Sequence, residues 1–295
     1  MRVFVTGASG FVGTHLTALL EAANHEVLRC SRAQLQGTAA LDLAGVHVVY
    51  HLAGQAFVPA AIASPMETYE ANVIGTARIA RAIARHSKQS GERPRLVFAS
   101  SGEVYGSVPA DILPITEATT TNPNNPYAAS KAAAESLLIG EHRSFGLDVV
   151  IGRAFNAIGP GQSTRFAIAD FAAQLIEIRN GAPARLAVGN LDAQRDFLDV
   201  RDLASAYVAL AQRGTAGETY NICSGVPRSL RSLLEELIGI ANVKPEIVSD
   251  SVRMRPSDTP VMFGSNSKLR SETGWLPARS LTSSLQDILQ RASVP

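Results

Sequence analysis

The 295-residue chain has only two cysteines, Cys30 and Cys223, far apart in sequence. That leaves no zinc spacing and no disulfide framework, so both are expected to be buried free thiols. Charge of one sign is also scarce: 27 basic residues meet 26 acidic ones, for a net charge of +1. No global field points to nucleic acid or to an anionic membrane, so any phosphate must be held by local groups. No apolar run reaches the roughly 18 residues needed to span a bilayer, which argues against a membrane protein. Repeats, low-complexity stretches and coiled-coil heptads are missing as well. The N-terminus enters a strand and a glycine turn at once, unlike a signal peptide, and a soluble cytoplasmic protein is expected. What remains is an ordinary globular balance of 46% hydrophobic and 18% charged residues, with length enough for one large or two small domains.

The most informative stretch comes first. Val3, Phe4 and Val5 form a continuous apolar run, as in a strand buried on both faces of a parallel sheet. Gly7, Gly10 and Gly13 follow at intervals of three, and Phe11, Val12, Leu16, Leu19 and Leu20 then recur at helical spacing. A strand, a glycine turn and a helix N-terminus let a pyrophosphate approach the backbone and meet unpaired N–H groups and a positive dipole end. No acid ends the second strand, Glu26–Cys30, where many NAD enzymes place one to hold the ribose 2′-hydroxyl. Arg29, Ser31 and Arg32 stand there instead, suited to a 2′-phosphate or simply forming a solvated basic loop. NADPH is therefore the expected cofactor, with NADH possible. Asp42 and Leu43 are expected to end a short third strand, where Asp42 either accepts from an adenine amino group or caps a turn. Val46–Leu52 is a further apolar run, leading into Ala53-Gly54-Gln55, where a small residue and a glycine at a strand's C-terminal end permit close ligand approach. A helix is expected from Glu67 to about Ser87, carrying Asn72.

The catalytic candidates lie in the middle of the chain. The strand Arg95–Ala99 runs into Ser100-Ser101-Gly102-Glu103, and a long polar loop separates it from Pro126-Tyr127-Ala-Ala-Ser-Lys131, which opens an alanine-rich helix reaching about Arg143. Tyr127 and Lys131, four apart, share one helix face. A nearby ammonium is expected to bring the phenol below its ordinary value near 10, so that it can exchange a proton with a carbonyl oxygen while a hydride moves. Ser101 can hydrogen-bond the same carbonyl. Glu103 either acts as a base on a sugar carbon or holds the loop. A strand over Leu147–Ile151, ending toward Arg153 and Asn156, completes the regular alternation. Helices at Phe166–Arg179, Asp202–Ala211, Ser229–Ala241 and Ser265–Thr273, and strands at Arg185–Val188 and Thr219–Cys223, are expected beyond it.

The GxxGxxG turn and the Ser101–Tyr127–Lys131 set together resemble the extended short-chain dehydrogenase/reductase superfamily, in its NAD-dependent epimerase/dehydratase family. Asn72-Val-Ile-Gly-Thr76 and Phe155-Asn156-Ala-Ile-Gly159-Pro160-Gly161-Gln162 match its recurrent elements. The segment Gly189-Asn190-Leu191-Asp192-Ala193-Gln194-Arg195-Asp196-Phe197 and the element Arg255-Pro256-Ser257-Asp258 resemble those of enzymes acting on GDP-mannose and GDP-4-keto-6-deoxymannose. The resemblance covers nearly the whole chain. It implies a doubly wound α/β Rossmann sheet, at residues 1–160 plus about 197–223, with a smaller C-terminal α/β nucleotide-sugar domain at about 161–196 and 224–295. It implies that Asn156, Asn190, Leu191, Arg195, Arg255 and Asp258 line the GDP-sugar site, that Arg153 lies near the cofactor, and that homodimers form through the helices at 67–87 and 126–143. Arg195 and Arg255 offer guanidinium forks apt for a diphosphate; otherwise they are surface arginines paired with Asp196 and Asp258. The implied reaction is NADPH-dependent reduction of the 4-keto group of GDP-4-keto-6-deoxy-D-mannose to GDP-D-rhamnose. Phe11-Val12, where the dehydratases carry Gln-Asp, and Asp199-Val-Arg-Asp202 favour the reductase. The rivals are a 4,6-dehydratase or epimerase of the same family, which Glu103 would suit as base, and a non-catalytic dinucleotide sensor, against which the Tyr–Lys pair argues.

Overall fold

Four apolar strands build the centre of the molecule: β1 (Arg2–Thr6), β3 (Val46–His51), β4 (Arg95–Ser101) and β5 (Val149–Ala154). β2 (Glu26–Arg29) and β9 (Thr219–Ile222) flank them, and the order β2-β1-β3-β4-β5-β9 is parallel throughout. The computed structural model describes residues 1–253 and 259–292. Successive side chains on a strand point to opposite faces, and each face has its own cover. Val3, Val5, Val97 and Val150 meet Leu16 and Leu20 of α1 (Phe11–Ala22) and Leu203, Tyr207 and Leu210 of α8 (Val200–Arg213). Phe4, Val49, Phe98 and Ile151 meet Ile79 and Ile83 of α5 (Gly75–Ser90) and Ala134 and Leu138 of α6 (Pro126–Phe145). Helices on both faces of a parallel sheet make the expected doubly wound α/β fold.

The short third strand does not form. Residues 40–45 are a loop in which Asp42 Oδ1 accepts from Ala44 N at 3.1 Å and Gly45 takes φ +68. Two leucines around one aspartate supply too little β-forming sequence to outcompete that local turn. β2 is therefore the sheet edge, followed by the single turn α2 (Arg32–Leu35). The expected helix at 67–87 is longer and interrupted. After α3 (Val58–Ala63), α4 (Pro65–Tyr69) runs through a π-helical turn at Glu70–Ile74 into α5, which ends on Gly91 at φ +81. π-turns of this kind concentrate at functional sites, and this one contains Asn72. α6 starts where Asn125 Oδ1 accepts from Ala128 N at 2.9 Å with Pro126 in the first turn, and it stops at Gly146 in the left-handed region.

A second core forms around α7 (Ala167–Arg179), α9 (Leu230–Ala241) and α11 (Leu281–Ala292), from Phe171, Leu175, Leu233, Leu234, Leu237 and Leu285. Leu186 of β7 (Arg185–Val188) joins it, and β7 pairs in parallel with β11 (Glu246–Ser249). Between the two cores β8 (Gln194–Asp199) takes β6 (Asn156–Ile158) and β12 (Val261–Met262) in parallel and β10 (Pro227–Ser229) antiparallel. Leu269 of α10 (Ser267–Thr273) and Trp275 pack into the first core instead. β6, β8 and β10 to β12 are too short to signal themselves by periodicity. Cys223 is buried, Cys30 is half-buried, and both are free. Among the described residues no helix is long and apolar enough to cross a membrane.

Candidate active site

The chain steps from β1 out to β2 and then back across to β3, so the sheet changes direction between β1 and β3. Open α/β sheets bind ligands at the carboxyl ends of strands at such a switch. Gly7 leaves β1 with φ +70, and a Cβ there would sit 2.8 Å from Ala53 N, at the end of β3. A Cβ on Gly13 would land on the Gly7 carbonyl oxygen, so the helix can pack onto the turn only without one. Gly10 is the N-cap of α1, with no side-chain cap and no acid in the first turn. The N–H groups of Phe11, Val12 and Gly13 thus head an uncompensated helix dipole, which suits a pyrophosphate.

Ser31 caps α2 through a reciprocal pair with Gln34, and Arg32 stands exposed in its first turn. Arg29 pairs with Glu21 at 2.5 Å, which leaves Arg32 as the cation at the β2 edge that no described acid engages. Leu43 is buried against the core with Val46 and Val49, so only its backbone can meet a nucleotide.

Ala53 and Gly54 are held from beneath, and much of this was not visible in the sequence. Thr6 Oγ1 hydrogen-bonds His51 Nδ1 at 2.7 Å and accepts from Ala53 N at 3.0 Å. His51 Nε2 lies 3.0 Å from Thr76 Oγ1, which donates to Asn72 O at 2.6 Å. Asn72, 1% exposed, accepts from Gln55 N at 2.7 Å and donates to Gln55 O at 2.9 Å and Ser130 Oγ at 2.8 Å. Its amide is thereby committed to shaping the turn after β3. Burial, with the Lys131 charge second, holds the His51 imidazole neutral, its pKa down at about 3. Leu52 is partly buried against the first core.

Tyr127, Lys131 and Ser101 converge beside that turn. Lys131 Nζ donates to Ala99 O at 2.7 Å, stands 4.9 Å from the centre of the Phe98 ring, and lies 3.6 Å from where a Cβ on Gly54 would be. Burial lowers its pKa to about 8, and the Glu135 charge opposes this. The expected acidification of Tyr127 is not found. Burial pushes the phenol up to about 12, the Glu103 charge adds to this, and only a hydrogen bond with Ser101 acts the other way. Desolvation of a phenolate outweighs the ammonium one turn away. Glu103 Oε2 accepts from Asn125 Nδ2 at 3.3 Å, so this carboxylate both faces Tyr127 and holds the N-cap of its helix.

Arg153 is engaged inside the protein. Its Nε and Nη2 bond the Glu135 carboxylate at 3.0 and 2.6 Å, and Nη1 donates to Tyr105 Oη at 2.8 Å. Tyr105 in turn donates to Asn221 Oδ1 at 2.7 Å, and Ser100 Oγ donates to Glu135. Glu135 continues the Tyr127–Lys131 row at the same spacing of four, a signal the sequence carries.

On the sugar side, Asn156 Nδ2 donates to Asp196 O at 3.2 Å and Asn190 Oδ1 accepts from Asp192 N at 3.0 Å. The Leu191 side chain belongs to the second core. Asp196 does not serve Arg195. It is fully buried and accepts from Ser224 N and Oγ at 2.7 Å each and Gly225 N at 2.9 Å. Neighbours on a strand face opposite ways, so Arg195 projects from the other side of β8 and donates from Nη1 to Gln194 O at 2.8 Å. Arg255 and Asp258 lie outside the described residues. Among those described, no cluster of His, Cys, Asp or Glu could hold a metal ion.

The chain is 42% identical to the GDP-6-deoxy-D-mannose reductase of Pseudomonas aeruginosa, over 98% of this chain and 96% of that one. It is 30% identical to the GDP-6-deoxy-D-talose 4-dehydrogenase of Aggregatibacter actinomycetemcomitans, over 93% and 92%. Among solved structures it superposes on RMD from Pseudomonas aeruginosa complexed with NADPH, with a TM-score of 0.91 and 42% identity over 99% and 98% of the two chains. The dTDP-glucose 4,6-dehydratase DesIV of Streptomyces venezuelae, with NAD and TYD bound, gives 0.86 at 25% identity over 99% and 96%. The sequence pattern described as GDP-mannose 4,6 dehydratase matches residues 38–288. Since that pattern and these relatives run along most of the chain and not along one motif of it, the protein belongs to the GDP-mannose 4,6 dehydratase family.

Proposed function

We propose that this protein is an NADPH-dependent reductase that converts GDP-4-keto-6-deoxy-D-mannose to GDP-D-rhamnose. The observation that carries the reading is the meeting of Ser101, Tyr127 and Lys131 beside the β1–β3 switch turn, where Lys131 Nζ abuts the space over Gly54. The glycine turn and Arg32 fit a dinucleotide bearing a 2′-phosphate. The full-length likeness to the Pseudomonas reductase and to its NADPH complex supports the same choice.

Bound NADPH supplies the hydride to C4. Tyr127 holds its proton firmly at neutral pH, which is the form a reduction needs, and donates it to the C4 oxygen as negative charge develops there. Ser101 donates a second hydrogen bond to the same oxygen. Lys131 holds the ribose and, as a cation, stabilises the phenolate that Tyr127 becomes. Arg195 and Arg255 receive the diphosphate, with Asn156, Asn190, Leu191 and Asp258 around the nucleotide sugar. Glu103 sets Asn125 and hence the first turn of α6. Arg153 acts from behind, through Glu135. We place the cofactor on residues 1–160 and about 197–223 and the sugar on the remainder, in a cytoplasmic homodimer joined through α5 and α6; light scattering at twice the chain mass of 31.2 kDa would support the dimer.

The dehydratase reading has one observation in its favour, the Glu103 carboxylate facing Tyr127. Transfer from NADPH carrying deuterium at the transferred position separates the two. The reductase leaves one deuterium at C4 of the product, and a dehydratase leaves none.

A further inference from the structure

We propose that Glu135 is a positioning residue for Lys131: its carboxylate, clamped by Arg153, keeps the Lys131 ammonium charged and aimed along β4 instead of drawing it down the helix. The inference rests on the role given to Lys131 above. Tyr127, Lys131 and Glu135 follow at intervals of four on α6, and all three are buried. Side chains so spaced stack along one helix face, which puts a carboxylate on the side of the ammonium away from Tyr127. An unclamped carboxylate there would capture Lys131. It is clamped: Arg153 engages it through Nε and Nη2, Ser100 Oγ donates to it, and the guanidinium lies 4.7 Å from the Tyr105 ring centre. Lys131 accordingly bonds Ala99 O at 2.7 Å, next to Ser100 and Ser101 on β4.

The surrounding groups leave Glu135 as the one anion available to the buried ammonium among those that face it. From its own helix come Tyr127 and Glu135, and from β3 comes His51, held neutral. Arg153 from β5 and Tyr105 from the turn after β4 approach Glu135. Glu103 faces Tyr127 from that same turn. Burial brings Lys131 down to about 8, with Glu135 opposing a further fall. The clamp also reaches outward. Tyr105 donates to Asn221 Oδ1, whose backbone N–H donates to Glu117 of the long loop before α6 at 2.7 Å. The charge that steadies Lys131 is thus tied to β9 and to the loop before α6.

The test is the pH profile of kcat/KM for keto-sugar reduction in Glu135→Gln, Glu135→Asp and Lys131→Met. In Glu135→Gln the alkaline limb should move down by about one pH unit, so that activity falls about threefold at pH 7.5 and about tenfold by pH 9, and recovers in acid. Glu135→Asp keeps the charge for Arg153 and draws it back from Lys131, and should shift less in the same direction. Should the Gln variant fail to fold, the Asp profile decides. A drop equal at every pH, or an Asp profile superimposable on the parent's, overturns the proposal while leaving the role of Lys131 intact. Full activity in Lys131→Met would overturn both.

Discussion

At the residue scale, chemistry rests on one proton. Replacing Tyr127 by Phe keeps the ring that fills the pocket and removes only the hydroxyl. It should lower kcat by about 10² or more, the scale of general acid catalysis, while NADPH binding, read by fluorescence titration, persists. Near-normal turnover would remove Tyr127 from the mechanism. A second residue sets the cofactor. Arg29 is already paired with Glu21, so Arg32 is the group we propose for a 2′-phosphate. Arg32→Ala should weaken NADPH and leave NADH almost unchanged, and equal losses would contradict that assignment. Both assignments start in the sequence, Tyr127 from its spacing to Lys131 and Arg32 from the acid missing at the end of the second strand. The direction of the Tyr127 shift was not legible. Spacing showed the ammonium one turn away, but the desolvation that outweighs it depends on burial that only the folded chain displays.

At the element scale, the site is held by pieces that local pattern hides. The alternation of strands and helices through Ile151 could be read because each element is long and apolar. β6, β8 and β12 span three, six and two residues, and pairing partners far along the chain are what make them strands. The expected strand at Asp42 and Leu43 failed for the reverse reason, since a turn with Ala44 needed no distant partner. Asn72 was legible only through resemblance. The structure supplies its physical role, which is to bond both backbone groups of Gln55 from a π-helical turn. Asn72→Ala removes three hydrogen bonds from a buried site and leaves their partners unpaired. We expect the KM for NADPH to rise severalfold with a smaller loss in kcat, because our proposal sets the turn at 53–55 against the cofactor and not the sugar. A loss confined to kcat would move Asn72 to the other side of the site.

At the scale of the whole molecule, two cores meet along β8, and we place the two ligands where they meet. The sequence foretold the second unit through resemblance alone, since its helices are amphipathic in the ordinary way and its strands are short. Folding also sets an acid limit. His51 is fully buried and titrates at about 3, below its ordinary 6.5. Between those values the unfolded chain binds a proton that the folded one refuses, so stability falls as pH drops below about 6.5 and continues to fall toward 3. One such group contributes a slope of up to roughly 1.4 kcal/mol per pH unit. Urea unfolding between pH 7 and pH 4 should show this slope, and His51→Asn should flatten it; an unchanged slope would mean that other groups govern acid unfolding.

Net reduction separates a reductase from a dehydratase, and it is read in the stoichiometry of the cofactor. A dehydratase of this family would oxidise C4 and return the same hydride, whereas a reductase must exchange its oxidised cofactor at every turnover. Purified protein should leave GDP-mannose unchanged when it is supplied alone. With GDP-4-keto-6-deoxymannose and NADPH together, absorbance at 340 nm should fall by one NADPH for each product formed. Conversion of GDP-mannose to the 4-keto sugar, with no net change in NADPH, would contradict the account.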